Sequence, residues 1–235
     1  RDGLAEIDLH EEQKIVVDTL EQASKENKFK TFLLQGVTGS GKTSTYLTWI
    51  KKVLENSSAQ VLIMVPEINL TPQLEENIRQ SFQDKKIAIL HSGLTDRTRA
   101  DAWAMAHAGN AQIILGTRMS IMASIPNLKA IVVDEEHDLS YKQQEGVRYS
   151  ARDLAIWRAQ KLGIPVLLVS ATPSLETWHR ALEGKYEKLE LTYRAANKKF
   201  ISDVQIVDLK EDAKVEKIKH GLGNYLLTAL KANLA

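Results

Sequence analysis

Phe32-Leu33-Leu34-Gln35-Gly36-Val37-Thr38-Gly39-Ser40-Gly41-Lys42-Thr43 is the stretch on which the reading of this chain turns. A short apolar run ends in a glycine-rich turn. Lys-Thr then opens a helical pattern through Tyr46, Leu47, Ile50, Val53 and Leu54. Strand, phosphate loop and helix follow one another as G-x-x-x-x-G-K-[ST] requires. Gly36, Gly39 and Gly41 let the backbone turn sharply and bring its N–H groups close to a phosphate. The helix starting near Lys42 points its positive dipole end at the same place. Thr38, Gly39, Ser40 and Gly41 then line the phosphates of a nucleoside triphosphate. Lys42 reaches the β- and γ-phosphates, and the Thr43 hydroxyl sits on Mg²⁺.

Outward from this loop, Val61–Val65, Ile87–Leu90, Gln112–Leu115, Ala130–Val133 and Val166–Val169 are short, mainly apolar runs, the pattern of buried parallel strands. Helical patterns alternate with them, over residues 9–24, from Thr71-Pro72, and over 97–108. The alternation predicts an α/β fold with a mainly parallel sheet and helices on both faces. Polar segments follow the strands: Pro66-Glu67, Gly116-Thr117-Arg118, Asp134-Glu135 and Ser170-Ala171-Thr172. They share the carboxyl edge with the phosphate loop, where open α/β sheets bind their ligands.

The length of 235 residues fits one large domain or a domain with an appendage. A net charge of +1, from 31 basic and 30 acidic residues, supplies no global field for nucleic acid, so any such binding must be local. The absence of cysteine excludes disulfides and thiolate metal sites, and fits a reducing compartment. No apolar run is long enough to span a bilayer, and the amino terminus lacks a signal-peptide pattern, so a cytoplasmic protein without a membrane partner is expected. Arg1 in place of Met, and Ala235 within a helical pattern, predict a piece of a longer chain. Residues 1–193 form the expected main lobe. Residues 194–235 mix lysines with acids around a short strand at 204–207, with a helical pattern over 222–234. They read as a solvated connector rather than a basic nucleic-acid surface.

Asp134 follows its strand directly, which suits an acid that holds Mg²⁺ opposite the phosphate loop. Glu135 is placed to orient or deprotonate the attacking water. His137 reads as a base, a ligand or, preferably, a hydrogen-bonded link from the nucleotide pocket to neighbouring loops. Ser170 and Thr172 suit that link, or serve as caps. Tyr141, Lys142, Arg148 and Tyr149 combine aromatics and cations in one loop, a pattern that suits single-stranded nucleic acid. Gln13 lies on the helix upstream of the loop, either solvated or facing an adenine.

Gly-Val-Thr-Gly-Ser-Gly-Lys-Thr (36–43), Val-Pro-Glu-Ile-Asn-Leu-Thr-Pro-Gln (65–73), Leu-His-Ser-Gly-Leu (90–94), Gly-Thr-Arg (116–118), Asp-Glu-Glu-His (134–137), Tyr-Lys-Gln-Gln-Glu-Gly (141–146) and Ser-Ala-Thr-Pro (170–173) occur in one order. In this the chain closely resembles the first motor lobe of the PriA family, bacterial primosomal helicases of superfamily 2 with a DEEH box. The resemblance implies a RecA-like P-loop NTPase lobe of an ATP-dependent 3′–5′ DNA helicase that restarts stalled replication forks and loads the primosome. ATP and Mg²⁺ would be bound here, and zinc only in a second motor lobe, expected to start within residues 194–235, that also carries an arginine finger. The implied partners are single-stranded and forked DNA, primosome proteins and single-strand-binding proteins.

Residue by residue, the resemblance makes Gln13 the adenine reader and residues 39–43 the phosphate loop. It makes Asp134 and Glu135 the metal and water residues, and Ser170 to Thr172 the coupling motif. Pro66, Glu67, Thr117, Arg118 and the 141–149 loop become the DNA-facing segments. Val147 and Ser150 depart from the Trp and His usual in that loop. The competing expectations are a non-enzymatic nucleotide- or DNA-docking module and a superfamily 2 translocase on duplex DNA or RNA.

Overall fold

The computed structural model describes residues 9–26, 28–192, 206–211 and 223–234. Its centre is a seven-stranded sheet: β1 (Lys30–Gly36), β2 (Gln60–Met64), β3 (Ile87–Leu90), β4 (Ile113–Gly116), β5 (Leu128–Val133), β8 (Pro165–Ser170) and β9 (Glu187–Leu191), in spatial order 3-4-2-5-8-1-9. Every pairing in this sheet is parallel. Strands buried on both faces have no use for alternation, and β2, β4 and β8 are buried along their whole length.

The helices divide between the two faces. α1 (Glu11–Lys25), α2 (Lys42–Val53) and α3 (Pro72–Ser81) deliver Val16, Leu20, Trp49, Ile50 and Ile78 to one core, against Phe32, Leu34, Ile63, Val132 and Val169. α4 (Asp96–His107), α5 (Ala151–Leu162) and α6 (Leu175–Leu182) cover the other face, where Ala102, Ala106, Ala155 and Ala159 pack on Leu62, Ile114, Ile131 and Leu168. Alanines on this face bring helix backbones close to the sheet. The predicted α/β lobe, with a mainly parallel sheet and helices on both faces, is what the chain forms.

Local chemistry fixes the helix starts. Thr71, Thr95, Ser150 and Ser174 each accept a hydrogen bond from a backbone N–H in the first turn of α3, α4, α5 and α6, the expected role of an N-cap hydroxyl. α2 starts differently: its N-cap Gly41 is left-handed, at φ 82°.

Several elements fall outside the sequence expectations, which named neither α5 nor α6. β9 alternates charged and apolar residues at the sheet edge, so no unbroken apolar run marks it. The 141–149 segment is more than a loop, since β6 (Lys142–Gln143) and β7 (Tyr149–Ser150) pair antiparallel as a small hairpin.

The chain divides into two compact units, residues 1–196 and 197–235. Within the second, α7 spans Asn224–Leu234. The strand expected over 204–207 lies partly outside the described residues, and Ile206 and Val207 are not in a strand.

Candidate nucleotide site

The loop from β1 to α2 curls tightly because of its glycines. Gly39 and Gly41 hold φ of 81° and 82°, where a side chain is strained. A Cβ on Gly36 would stand 2.5 Å from Ser40 Oγ, and one on Gly41 would stand 2.1 Å from Gln13 Nε2. Lys42, only 9% exposed, sends its ammonium into the curl and donates to Gly36 O at 2.7 Å and Val37 O at 3.3 Å. Ser40 Oγ is buried in the loop with no hydrogen-bond partner among the described residues, a polar atom left for a ligand or water. Cramped glycines, an inward cation and a helix N-terminus fit the phosphates of a nucleoside triphosphate.

Gln13 stands against this loop. Its Nε2 donates to Ser40 O at 3.3 Å and Gly41 O at 3.4 Å, and its Oε1 accepts from His10 N at 2.9 Å. α1 is held to α2 below it, by Lys52 with Glu21 and by Trp49 Nε1 donating to Ser24 Oγ at 3.0 Å.

Across the edge, Asp134 meets α2 directly: the Tyr46 hydroxyl donates to Asp134 Oδ2 at 3.1 Å. Burial pushes the Asp134 carboxyl up to about 6, and the neighbouring Glu135 charge adds to the rise. The Tyr46 bond, the Glu135 N–H and the Lys42 charge act the other way. Tyr46 itself is fully buried, and burial followed by the Asp134 charge raises its phenol well above the ordinary value. A half-buried carboxylate whose charge is disfavoured until a cation arrives, together with an exposed Thr43 at the start of α2, is a donor set that fits Mg²⁺.

Glu135 has φ 46°, the one non-glycine positive φ among the described residues, a strain of roughly 1–3 kcal/mol. Its N–H donates to Asp134 Oδ1 at 3.0 Å. His137 Nδ1 lies 2.8 Å from Ser170 Oγ and 3.6 Å from Glu135 Oε2. Ser170 Oγ in turn accepts from Thr172 N at 3.0 Å, so His137, Ser170 and Thr172 form one chain from β5 to the loop after β8.

The segments expected to face DNA divide into exposed and buried members. Lys142 and Arg148 are exposed on the hairpin, Tyr149 is half-buried, and Glu67 is exposed, its Oε1 accepting from Ser92 Oγ at 3.0 Å. Tyr141 requires a correction. It is 1% exposed, and its hydroxyl donates to Asp134 O at 2.6 Å, so its ring belongs to the core and cannot stack on a base. Pro66 and Thr117 are buried as well, leaving little of either side chain to offer a strand. Arg118 Nη1 donates to Ser140 O at 3.0 Å and Lys142 O at 3.2 Å, bracketing Tyr141 from both sides.

Tyr46 was not legible as a site residue in the sequence, nor was the hydrogen-bonded set Glu136, Arg152, Ser174 and Thr177. The third letter of Asp-Glu-Glu-His was the available signal: an acid in a turn with no assigned task.

Residues 11–181 match the family model for DEAD/DEAH box helicases. The chain is 48% identical over 206 residues to the replication restart protein PriA of Haemophilus influenzae, covering 88% of this chain and 27% of that protein. It is 41% identical over 204 residues to PriA of Bacillus subtilis, covering 87% and 25%. It therefore spans about a quarter of the length of these curated relatives. Among solved structures, RecG bound to a three-way DNA junction aligns at TM-score 0.59 and 22% identity, over 80% of this chain and 24% of that one. A hypothetical ATP-dependent RNA helicase from Sulfolobus tokodaii aligns at 0.56 and 19%, over 79% and 54%. These two share the fold.

Proposed function

Because this chain belongs to the DEAD/DEAH box helicase family, we propose that it is the ATP-binding lobe of a replication-restart DNA helicase of the PriA kind, working in the cytoplasm on single-stranded and forked DNA. The observation that carries the reading is the convergence of Lys42, Tyr46, Asp134 and Glu135 at one sheet edge, with α2 bonded directly to the aspartate.

In this reading the loop N–H groups and Lys42 bind the β- and γ-phosphates, and Gln13 reads the adenine from the end of α1. Thr43 and Asp134 would hold Mg²⁺, which when bound neutralises charge building up on the phosphates. Tyr46 fixes the Asp134 carboxylate from one side, and Tyr141 fixes its backbone from the other. Glu135 accepts the proton of the attacking water. His137, Ser170 and Thr172 carry changes at the γ-phosphate towards the next loop. Arg148, Lys142 and Tyr149 on the hairpin face the DNA. Arg118 connects that surface to Tyr141, and so to Asp134, through backbone carbonyls.

A second lobe would complete the site with an arginine finger, worth about three to five orders of magnitude in related enzymes. The 235-residue chain is thus expected to bind nucleotide weakly and hydrolyse it negligibly. In the full-length protein, forked DNA should stimulate ATP hydrolysis strongly, and Lys42→Ala or Glu135→Gln should lower it by at least about a hundredfold. Robust DNA-stimulated hydrolysis by the 235-residue chain alone would defeat the half-site reading. Unwinding unaffected by Lys42→Ala would point to a docking module. Stronger stimulation by duplex DNA or RNA than by forks would move the enzyme to another track.

A further inference from the structure

Glu136 follows Asp134 and Glu135 directly, and its side chain is completely buried. Its carboxylate accepts four hydrogen bonds: from Ser174 N at 2.8 Å on Oε1, and on Oε2 from Arg152 Nη1 at 3.1 Å, Ser174 Oγ at 3.1 Å and Thr177 Oγ1 at 2.8 Å. Its own N–H donates to Val169 O at 3.0 Å, which seats the turn on β8. Arg152 also donates to Ser174 Oγ at 2.8 Å and, through Nε, to Asp153 Oδ1 at 3.0 Å. Burial disfavours the Arg152 charge, but Asp153 and Glu136 outweigh it and hold the guanidinium above its ordinary value.

Burying an ionised carboxylate carries a large desolvation penalty, and well-packed apolar residues often stabilise a fold as well or better. A satisfied polar network of this kind specifies geometry more than it adds stability. The geometry it specifies is that of the preceding residue. Glu135 keeps a left-handed backbone, which persists only where both neighbours are fixed. Asp134 is fixed by Tyr46 and Tyr141, and Glu136 is fixed by this network. Arg152 stands in the first turn of α5, two residues after β7 of the hairpin, so the clamp on Glu135 reaches the element that carries Lys142, Arg148 and Tyr149.

Resting on the function proposed above, we infer that Glu136, paired with Arg152, is a positioning residue for Glu135, and that the pair transmits the placement of the hairpin to the water-activating carboxylate. Neither residue is hydrogen-bonded to the phosphate loop; their partners are each other, Asp153, Val169, Ser174 and Thr177.

The test is steady-state ATP hydrolysis by the full-length protein with saturating single-stranded DNA, with a melting temperature recorded for each variant. Glu136→Gln is nearly isosteric but removes the charge facing Arg152. It should lower kcat at least tenfold while leaving KM for ATP, and the DNA concentration for half-maximal stimulation, within twofold. Glu136→Gln combined with Arg152→Met removes both charges. It should recover the melting temperature without recovering kcat. Arg152→Lys, which keeps the charge, should fall between. The inference is overturned if Glu136→Gln keeps kcat within twofold, or if the double variant regains kcat along with its melting temperature. If the unmodified protein shows no DNA-stimulated hydrolysis, the parent reading fails, and this one with it.

Discussion

As the proposed metal ligand, Asp134 is expected to set the pH behaviour of the site. Its carboxyl sits at about 6 against an ordinary 3.8, so the folded chain keeps this proton longer than the unfolded chain does. Between roughly pH 4 and pH 6 the group's contribution to stability therefore falls as pH rises. Metal binding needs the ionised form, so the strengthening of nucleotide binding by Mg²⁺ should decline as pH falls through about 6, by up to about tenfold per unit. Tyr46→Phe removes a bond that favours the charged form and should move that midpoint upward. Titrating a fluorescent nucleotide with and without Mg²⁺ across pH 5–8 checks both, and a midpoint unmoved by Tyr46→Phe would remove the tyrosine from the metal site. Candidate chemistry was readable in the sequence where it was contiguous, as in residues 36–43 and at Asp134, Glu135 and His137, while Glu136 between them went unassigned. Tyr46 was hidden because its hydroxyl partner lies 88 positions away, and its place on the buried helix face already explained it. Tyr141 was misread for the opposite reason, since an aromatic among lysines and glutamines resembles a stacking surface until its hydroxyl is seen on Asp134 O.

At the scale of elements, the phosphate loop and α1 are fitted to each other through Gly41. A methyl group there would come within 2.1 Å of the Gln13 amide nitrogen, and the residue's φ of 82° opposes any side chain. Gly41→Ala should cost about 1–2 kcal/mol from backbone strain alone, lowering the melting temperature by several degrees. It should also push Gln13 aside and erase any preference for adenosine over guanosine triphosphate. Calorimetry and paired nucleotide titrations measure the two effects, and an unchanged preference would separate Gln13 from base reading. α1 to α4 and the inner strands were legible because apolar periodicity and the Thr71-Pro72 start marked them, whereas α5 and α6 were not read from the sequence. β6, β7 and β9 were not: two-residue strands carry no period, and an edge strand reading Glu-Lys-Leu-Glu-Leu buries only its alternate positions.

For the molecule as a whole, all seven strands of the main sheet, both apolar cores and every residue of the nucleotide site fall within residues 1–196. A chain ending at Ala196 should therefore fold cooperatively, keep its nucleotide affinity, and melt within about 2 °C of the 235-residue form. Loss of cooperative melting would mean that the later residues support the sheet. The parallel architecture was readable from the order of apolar runs, but the spatial order of strands was not, because run lengths do not encode which strands become neighbours. That order shapes how the protein comes into being. β1, the first strand of the sheet to leave the ribosome, lies between β8 and β9, the last two to be made. Such distant pairings meet their loop-closure entropy before any contact repays it, which makes them late and slow to form. A nascent chain halted before residue 187 thus carries the glycine loop with β1 flanked on one side at most, so the strand that leads into the loop gains its second neighbour only when β9 is made.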